Sequence, residues 1–301
     1  MRWLTVTTAA LFALTMIAAG CGGSGGETEP EAAEDTTAAV DTLPEPEYVA
    51  SPQADSLIPR EVLFGNPEHI LPELSPDGER ITYIAPADGV LNLWIMDRDG
   101  SERRQLTYDD DRGVIRYTWA ENGRQILYMQ DEAGEENTHV YLLDVESGDV
   151  QDLTPYDGVK AMIDATDRDR PDRVLIQMNR ENPMYFDVYS ADLTTGELTM
   201  VQDNPGELEN GDMVLGYMAD RDLVPRLCVS ISPEDGTLTY RVRDSAEDDW
   251  RELMTASPLE EVSPREFSED GDSLYVTSNT ETNTTQLYRM SLEDGGKTWI
   301  A

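Results

Sequence analysis

Short apolar runs separated by small polar turns follow one another along most of the chain. An aromatic residue returns within these runs at nearly fixed distance, with gaps of 47, 48, 51 and 48 residues. The five aromatic positions are Trp94, Tyr141, Tyr189, Tyr240 and Tyr288. Because each of them has the same kinds of neighbours in the same order, the pattern indicates five copies of one structural unit.

Each copy contains signals for about four strands. Before each aromatic, a polar turn precedes an apolar strand, and the turn reads Ser-Pro-Asp-Gly at 75–78, Ala-Glu-Asn-Gly at 120–123 and Ser-Glu-Asp-Gly at 268–271. The turn is degenerate in the third and fourth copies. A second turn follows each aromatic and leads into a last short strand. We predict these last strands at residues 104–107, 151–154, 198–201, 250–254 and 297–300.

This period with four short strands predicts an all-β fold, a β-propeller in which each copy is one blade. Strands such as 91–96 are largely apolar on both faces, which is typical of strands packed between neighbouring blades. A two-sheet sandwich would explain alternating strands but not five copies in register. We predict a propeller domain over residues 58–301. Its five four-stranded blades are expected at about 66–108, 114–157, 160–204, 212–256 and 262–301.

The first 20 residues have the features of a lipoprotein signal peptide. An apolar stretch from Trp3 to Ala19 is followed by Gly20 and Cys21, although Ala18 stands where such signals usually have leucine. We expect Cys21 to carry a lipid, which would anchor the protein in the cell envelope, facing the periplasm or the exterior. An ordinary exported protein with an unmodified cysteine is the alternative. Residues 21–57 hold no Lys or Arg and predict a flexible acidic linker.

The charge balance is strongly acidic, with 61 Asp and Glu against 22 Lys and Arg and a formal net charge of −39. This balance excludes nucleic acid and an anionic membrane surface as natural partners, because both require basic patches. Lys160 and Lys297 are the only lysines. Such an excess of acids predicts a protein kept soluble in concentrated salt, where screening limits self-repulsion.

No motif in the chain predicts catalysis. Gly22–Gly26 matches the pattern G-x-S-x-G, but it lies in a glycine linker rather than between a strand and a helix. The only histidines are His69 and His139, and we interpret His139 as a structural residue of a predicted strand. Cys228 lies in an apolar strand and is interpreted as a small buried side chain without chemistry.

Four acidic segments are candidates for binding sites. Asp97–Gly100 imitates the start of a calcium loop without its closing Glu and fits a β-turn instead. Asp109–Asp111 and Asp248-Asp249 are predicted to be solvated loops. Glu135 and Glu136 are candidates to pair with a substrate amine at the mouth of the propeller, with a solvated hairpin turn as the alternative. No cofactor and no metal site is expected.

Several longer segments of the sequence carry more information than the repeat spacing alone. They are IPREVLFGNP at 58–67, ILYMQD at 126–131, ENTHVY at 136–141, DLTP at 152–155, NPMYFDVY at 182–189, TGEL at 195–198 and WREL at 250–253. From about Ile58 onwards the chain resembles the N-terminal propeller of the prolyl oligopeptidase family of serine peptidases. The resemblance is to its acylaminoacyl-peptidase and dipeptidyl-aminopeptidase-like branch.

The resemblance implies both an architecture and a role. The propeller of that family usually has seven blades and precedes an α/β-hydrolase domain that carries Ser, Asp and His. Five blades then imply an incomplete seven-bladed ring, with the hydrolase domain missing and no catalytic residue to carry over. The propeller would gate the access of peptide substrates, and the chain alone would be inactive. A stand-alone TolB-like envelope propeller that binds a protein or peptide without catalysis is the alternative.

Overall fold

A computed structural model describes residues 68–132 and 134–301 of the chain. Twenty strands in these residues form five antiparallel sheets of four strands each. The strands of every sheet follow chain order, as expected when each strand is joined to the next by a short turn. The predicted all-β propeller with five four-stranded blades is confirmed.

The bounds of the strands are as follows. Blade 1 contains β1 (Ile70–Leu74), β2 (Arg80–Ala87), β3 (Val90–Asp97) and β4 (Arg104–Gln105). Blade 2 contains β5 (Arg116–Trp119), β6 (Gln125–Asp131), β7 (Thr138–Asp144) and β8 (Val150–Asp152). Blade 3 contains β9 (Ala161–Thr166), β10 (Arg173–Asn182), β11 (Tyr185–Asp192) and β12 (Leu198–Gln202). Blade 4 contains β13 (Met213–Ala219), β14 (Pro225–Ile231), β15 (Leu238–Val242) and β16 (Arg251–Ala256). Blade 5 contains β17 (Val262–Phe267), β18 (Ser273–Ser278), β19 (Gln286–Ser291) and β20 (Lys297–Trp299).

The core consists of apolar clusters between consecutive blades. The second blade shows how one strand pair serves two clusters: Leu127 and Leu142 pack toward blade 3, whereas Ile126 and Leu143 pack toward blade 1. Alternate residues of a strand point to opposite faces of its sheet, so a strand between two blades must be apolar on both faces. Further clusters join blade 3 to blade 4 and blade 4 to blade 5.

The five repeating aromatics occupy one position of the third strand in every blade. Each is paired on one side with the second strand and on the other with the fourth, for example Tyr141 with Tyr128 and Asp152, and Tyr288 with Val276 and Trp299. The spacing of the aromatics in the sequence therefore reflects an equivalent pairing position in each blade.

Tyr240 nevertheless faces the opposite way from three of its counterparts. Tyr141, Tyr189 and Tyr288 belong to the clusters shared with the preceding blade, whereas Tyr240 packs against the following blade 5. A shift of one residue along a strand moves a side chain to the other face of the sheet.

The turns between the first and second strands of blades 1 and 5 are held by equivalent hydrogen bonds. The hydroxyl of Ser75 donates to Asp77 at 2.5 Å and accepts from the backbone N–H of Arg80 at 3.0 Å. Ser268 does the same with Asp270 and Ser273, at 2.5 and 3.0 Å. The Ser-x-Asp-Gly phrase recurs because this side-chain network closes the turn before the second strand.

Arginines near the start of second strands join neighbouring blades. The guanidinium of Arg80 lies 5.6 Å from the ring centre of Trp119 in the next blade, and Arg226 lies 5.4 Å from Phe267 in the same relation between blades 4 and 5. Arg80 also forms a 2.7 Å ion pair with Glu146 of blade 2. A cation above an aromatic face is attracted by the ring quadrupole, so these contacts add to the apolar clusters.

The last strand of blade 1 is shorter than predicted. Regular pairing stops at Gln105, and Leu106 and Thr107 turn inward, where both are almost fully buried. The hydroxyl of Thr107 accepts the backbone N–H of Leu93 at 2.9 Å, in place of a ladder bond. The same device recurs in blade 2, where Thr154 accepts the N–H of Val140 at 3.0 Å.

Candidate functional site

One side of the blades carries both the hairpins between second and third strands and the connectors between blades; we call it the hairpin face. Two asparagines tie the two sets of loops together. Asn179 accepts the backbone N–H of Lys160 at 2.7 Å, and Asn279 accepts that of Glu261 at 2.8 Å. Each asparagine also donates its own backbone N–H to the carbonyl of the same connector residue. The connectors are thus fixed to the strands beneath them.

The predicted pair Glu135 and Glu136 lies on this face, in the hairpin between β6 and β7. Both side chains are exposed, and Glu136 has a left-handed backbone with φ of 63°. Its backbone N–H donates to Asp131 at 3.4 Å. The carboxylate of Asp131 is buried and also pairs with Arg112 of the connector from blade 1, at 3.4 Å. This link holds the acidic hairpin against the neighbouring connector.

Sequence reasoning missed Arg112 and Asp131, which position the hairpin. Arg112 was hidden at the end of the acidic run Asp109–Asp111, where it is the only basic residue. A single arginine in an acidic loop is the signal that could have revealed a buried partner, because a buried carboxylate such as Asp131 requires a counter-charge.

The prediction that Asp109–Asp111 is a solvated loop was wrong for Asp109. Asp110 and Asp111 are exposed, but Asp109 is half-buried, and its backbone N–H donates to the buried side chain of Asn92 at 2.8 Å. The carboxylate of Asp109 accepts the backbone N–H of Gly113. The run is a folded corner of the connector rather than a solvated loop.

The base of the hairpin is anchored by β7. The hydroxyl of Thr138 donates to the carbonyl of Ala161 in blade 3 at 2.6 Å. The next residue, His139, has its Nδ1 2.7 Å from Asp152 and stacks near Tyr141. His139 therefore has a structural partner in its own sheet, in agreement with its interpretation as a structural residue.

Blade 3 adds an aromatic and basic element to the hairpin face. The guanidinium of Arg180 lies 4.1 Å from the ring centre of Tyr156 and donates to its hydroxyl at 3.2 Å. Met184, at the tip of the adjoining hairpin, is 73% exposed. The hairpin face thus carries an exposed thioether and an arginine–tyrosine contact in addition to its carboxylates.

The described residues hold no recognisable catalytic couple. None of their hydrogen bonds joins a serine hydroxyl to a histidine, and His69 contacts Tyr83 edge-on with the ring centres 4.9 Å apart. Within the same ranges, no group of three His, Cys, Asp or Glu side chains is placed to hold a metal ion. Cys228 is buried, and burial raises the pKa of its thiol to about 11, which keeps it protonated and unreactive.

Two further acidic segments that the sequence analysis considered lie within the described residues, whereas the N-terminal segments do not. Asp97–Gly100 forms the predicted turn, with the N–H of Gly100 donating to the carbonyl of Asp97 at 2.8 Å. Asp248 and Asp249 are exposed. The signal peptide at 1–20, Cys21, the G-x-S-x-G match and the linker up to residue 57 lie outside the described ranges. No helix long and apolar enough to span a bilayer occurs at 68–132 or 134–301.

Two recessed carboxyl groups have strongly shifted pKa values. Burial raises the pKa of Glu73 to about 7, although the backbone N–H of Trp119 donates to it at 3.3 Å. Burial likewise raises the pKa of Asp164 to about 7, against the opposing effect of a 2.7 Å hydrogen bond from Gln177. Both lie on the first strand of their blade, where charge is poorly solvated.

Comparison with curated proteins gives two relatives, both named as peptidases. The chain is 31% identical over 275 residues to dipeptidyl aminopeptidase BIII of Pseudoxanthomonas mexicana, covering 90% of this chain and 37% of that protein. It is 31% identical over 200 residues to dipeptidyl peptidase family member 6 of Caenorhabditis elegans, covering 64% of this chain and 26% of that protein. The chain thus spans about a third of these relatives. No family model matches it.

Solved structures agree with the fold. A prolyl endopeptidase superposes with a TM-score of 0.56 at 14% identity, over 77% of this chain and 35% of that one. The β-propeller domain of the Trilobed protease from Pyrococcus furiosus superposes with a TM-score of 0.51 at 15% identity, over 78% of this chain and 69% of that domain. At these identities the likeness shows the fold alone.

Fold and relatives together define a propeller of the kind that accompanies peptidase domains. The chain belongs to the propeller part of the prolyl oligopeptidase family, as its phrases predicted.

Proposed function

We propose that this chain is the propeller of an exported, lipid-anchored serine peptidase, and that it gates the access of peptides to a catalytic α/β-hydrolase domain. The observation that carries the proposal is the match of 90% of the chain to a dipeptidyl aminopeptidase at 31% identity. The propeller would bind and orient peptides, and the hydrolase domain would supply the nucleophile, the base and the orienting acid.

Glu135 and Glu136 are the residues through which we propose that the propeller binds the substrate amine. Both side chains are exposed to solvent. The ion pair of Arg112 and Asp131 holds their hairpin in place, so the two carboxylates have a fixed position on the surface. An ammonium group beside two carboxylates gains a modest attraction in solvent, about 1 kcal/mol at such exposure.

The test uses a full-length peptidase that contains this propeller together with a hydrolase domain. Replacing Glu135 and Glu136 by Gln should raise KM about threefold to fivefold for peptides with a free amino end and leave N-acetylated peptides unaffected. Glu197→Gln, an exposed acid in a turn of blade 3, is the matched control. Equal KM changes for free and acetylated peptides would contradict the role of the pair.

Lipid anchoring is proposed from the signal-like sequence that ends at Cys21. Metabolic labelling with a radioactive fatty acid should mark the wild-type protein and the Cys228→Ala variant, but not Cys21→Ala. Label retained by Cys21→Ala, or absent from the wild type, would contradict lipid attachment at Cys21.

A saline habitat is proposed from the net charge of −39. Screening at molar salt shortens the range of repulsion between surface carboxylates to about 3 Å, so the melting temperature should rise steeply with added KCl. A melting temperature unchanged between low and molar salt would contradict this proposal.

A further inference from the structure

The seam between blades 3 and 4, where β9–β12 face β13–β16, has a small apolar core. Its cluster contains three buried apolar side chains, Leu175, Val188 and Leu223. Each of the other three clusters between consecutive described blades has more than three times as many. The seam is also incompletely filled at the outer strands, because a cleft of about 470 Å³ lies between the end of β12 and the loop before β16.

The orientation of Tyr240 explains the small core. Because Tyr240 packs against blade 5, its strand neighbours Thr239 and Arg241 point toward blade 3, and so do Cys228 and Ser230 of β14. Thr239, Cys228 and Ser230 are buried, and the side chain of Arg241 is 15% exposed. Blade 4 thus presents a largely polar surface where the other blades present an apolar one.

The polar groups on this surface find their partners within blade 4. Arg241 pairs with Asp212 at 3.1 Å, and the hydroxyl of Ser230 donates to the same carboxylate at 3.3 Å. Arg243, at the end of β15, donates to two backbone carbonyls of its own blade, and its buried Nη2 has no partner on either blade. Separation from blade 3 breaks none of these bonds. Exposing polar side chains to water costs much less than exposing apolar ones, so this surface favours separation.

A buried hydrogen bond crosses each of the other three seams between described blades. These bonds run from the indole of Trp119 to Thr82 at 2.9 Å, from the hydroxyl of Thr138 to the carbonyl of Ala161 at 2.6 Å, and from the hydroxyl of Tyr240 to the carbonyl of Val262 at 2.6 Å. In the part of the chain that the structure describes, no buried hydrogen bond joins blade 3 to blade 4.

Ion pairs near the surface join blades 3 and 4 instead. Arg170 of blade 3 pairs with Asp222 at 2.7 Å. Arg221 of blade 4 pairs with Asp167 at 3.4 Å and with Asp169 at 3.0 Å. Ion pairs that reach solvent contribute only about 0–1 kcal/mol each, so they hold the seam weakly.

We propose that the propeller opens reversibly along the seam between blades 3 and 4, and that the open seam is a lateral entrance for peptides. The opening follows from the packing of this chain alone, whereas its role as an entrance rests on the proposed gating. Cys228 is 3% exposed and lies on the face of β14 that meets blade 3. Its thiol therefore reports the open state, because a reagent reaches it only when the seam parts.

Thiol modification of the full chain tests the opening. In the variant Cys21→Ala, Cys228 is the only cysteine. Val174→Cys and Val276→Cys, each combined with Cys21→Ala and Cys228→Ala, are matched controls that place a thiol at a buried position of the seam between blades 2 and 3 or between blades 4 and 5. We expect iodoacetamide without denaturant to modify Cys228 about tenfold faster than either control thiol. Equal rates for the three thiols would show that only global unfolding exposes them, and would overturn the proposal.

The ion pairs across the seam supply a second test. Arg221→Gln removes two of them and should accelerate the modification of Cys228 about threefold to fivefold. Arg289→Gln removes a 2.7 Å pair with Asp270 inside blade 5, and as the matched control it should leave the rate unchanged. Equal rates for the two variants would overturn the proposal. Neither test involves catalysis, so a failure here is distinguishable from a failure of the proposed gating.

Discussion

The hydroxyl of Tyr240 donates a 2.6 Å hydrogen bond to the backbone carbonyl of Val262, and so joins blade 4 to blade 5. Tyr189, at the equivalent strand position of blade 3, is equally buried, but its hydroxyl has no partner. The difference follows from the opposite faces that the two side chains occupy.

These two tyrosines predict opposite effects of one chemical change. Tyr240→Phe removes a buried hydrogen bond and should lower the free energy of unfolding by about 1–2 kcal/mol. Tyr189→Phe removes an unsatisfied hydroxyl and should leave stability unchanged or raise it by about 1 kcal/mol. Urea unfolding followed by circular dichroism measures both, and equal losses in the two variants would contradict the assigned partners.

Truncation to alanine should distinguish buried from half-buried aromatics. Tyr189 is 3% exposed within the cluster between blades 2 and 3, so Tyr189→Ala should cost about 3–5 kcal/mol. Tyr141 is only half-buried and should cost less, about 2 kcal/mol. The same urea experiment measures the difference, and a larger loss for Tyr141→Ala would be incompatible with the packing described.

Gly113 lies where the connector from blade 1 passes close to β3. Its φ is 81°, and a Cβ atom there would lie 2.5 Å from the carbonyl oxygen of Leu91. Gly100 has a similar φ of 89° but open space around it. Gly100→Ala should therefore cost about 1 kcal/mol for the backbone conformation alone, and Gly113→Ala about 3 kcal/mol because backbone must move as well. Equal losses of thermal stability would show that no close approach exists.

The raised pKa of Glu73 predicts a pH dependence of stability. Between its ordinary value of 4.5 and the folded value of about 7, the folded state holds a proton that the unfolded state has released. The free energy of unfolding therefore falls as pH rises through this window. Glu73→Gln should reduce that slope in urea titrations from pH 4.5 to 7, whereas Glu68→Gln, an exposed acid, should not. Parallel slopes for wild type and Glu73→Gln would exclude a protonated Glu73.

The sequence predicted the parts of the fold that depend on local chemistry. Ser75 and Ser268 close identical turns with their own side chains, so a short phrase was enough to place the strands that follow. The aromatic period succeeded because it reflects strand register. It did not reveal that Tyr240 faces the next blade, since a one-residue shift changes the spacing by little and the packing completely.

Contacts between residues far apart in the chain could not be predicted from the sequence. Arg112 and Asp131 meet at 3.4 Å although 19 positions separate them, and Asp109 was interpreted as solvated because its partner Asn92 belongs to another element. The unused donor of Arg243 depends on which carbonyls its other nitrogens reach, and composition carries no record of that. Glu135 and Glu136 are exposed in a hairpin, as the alternative interpretation of the pair had it, and only the structure shows what holds the hairpin.

The most direct test of the proposed function is the nucleotide sequence that follows codon 301. We predict an open frame, in phase or restored by a single frameshift, that encodes two further blades and a hydrolase domain with a G-x-S-x-G strand–turn–helix. An immediate authentic stop codon with no hydrolase frame downstream would contradict the proposal and favour a binding propeller without catalysis.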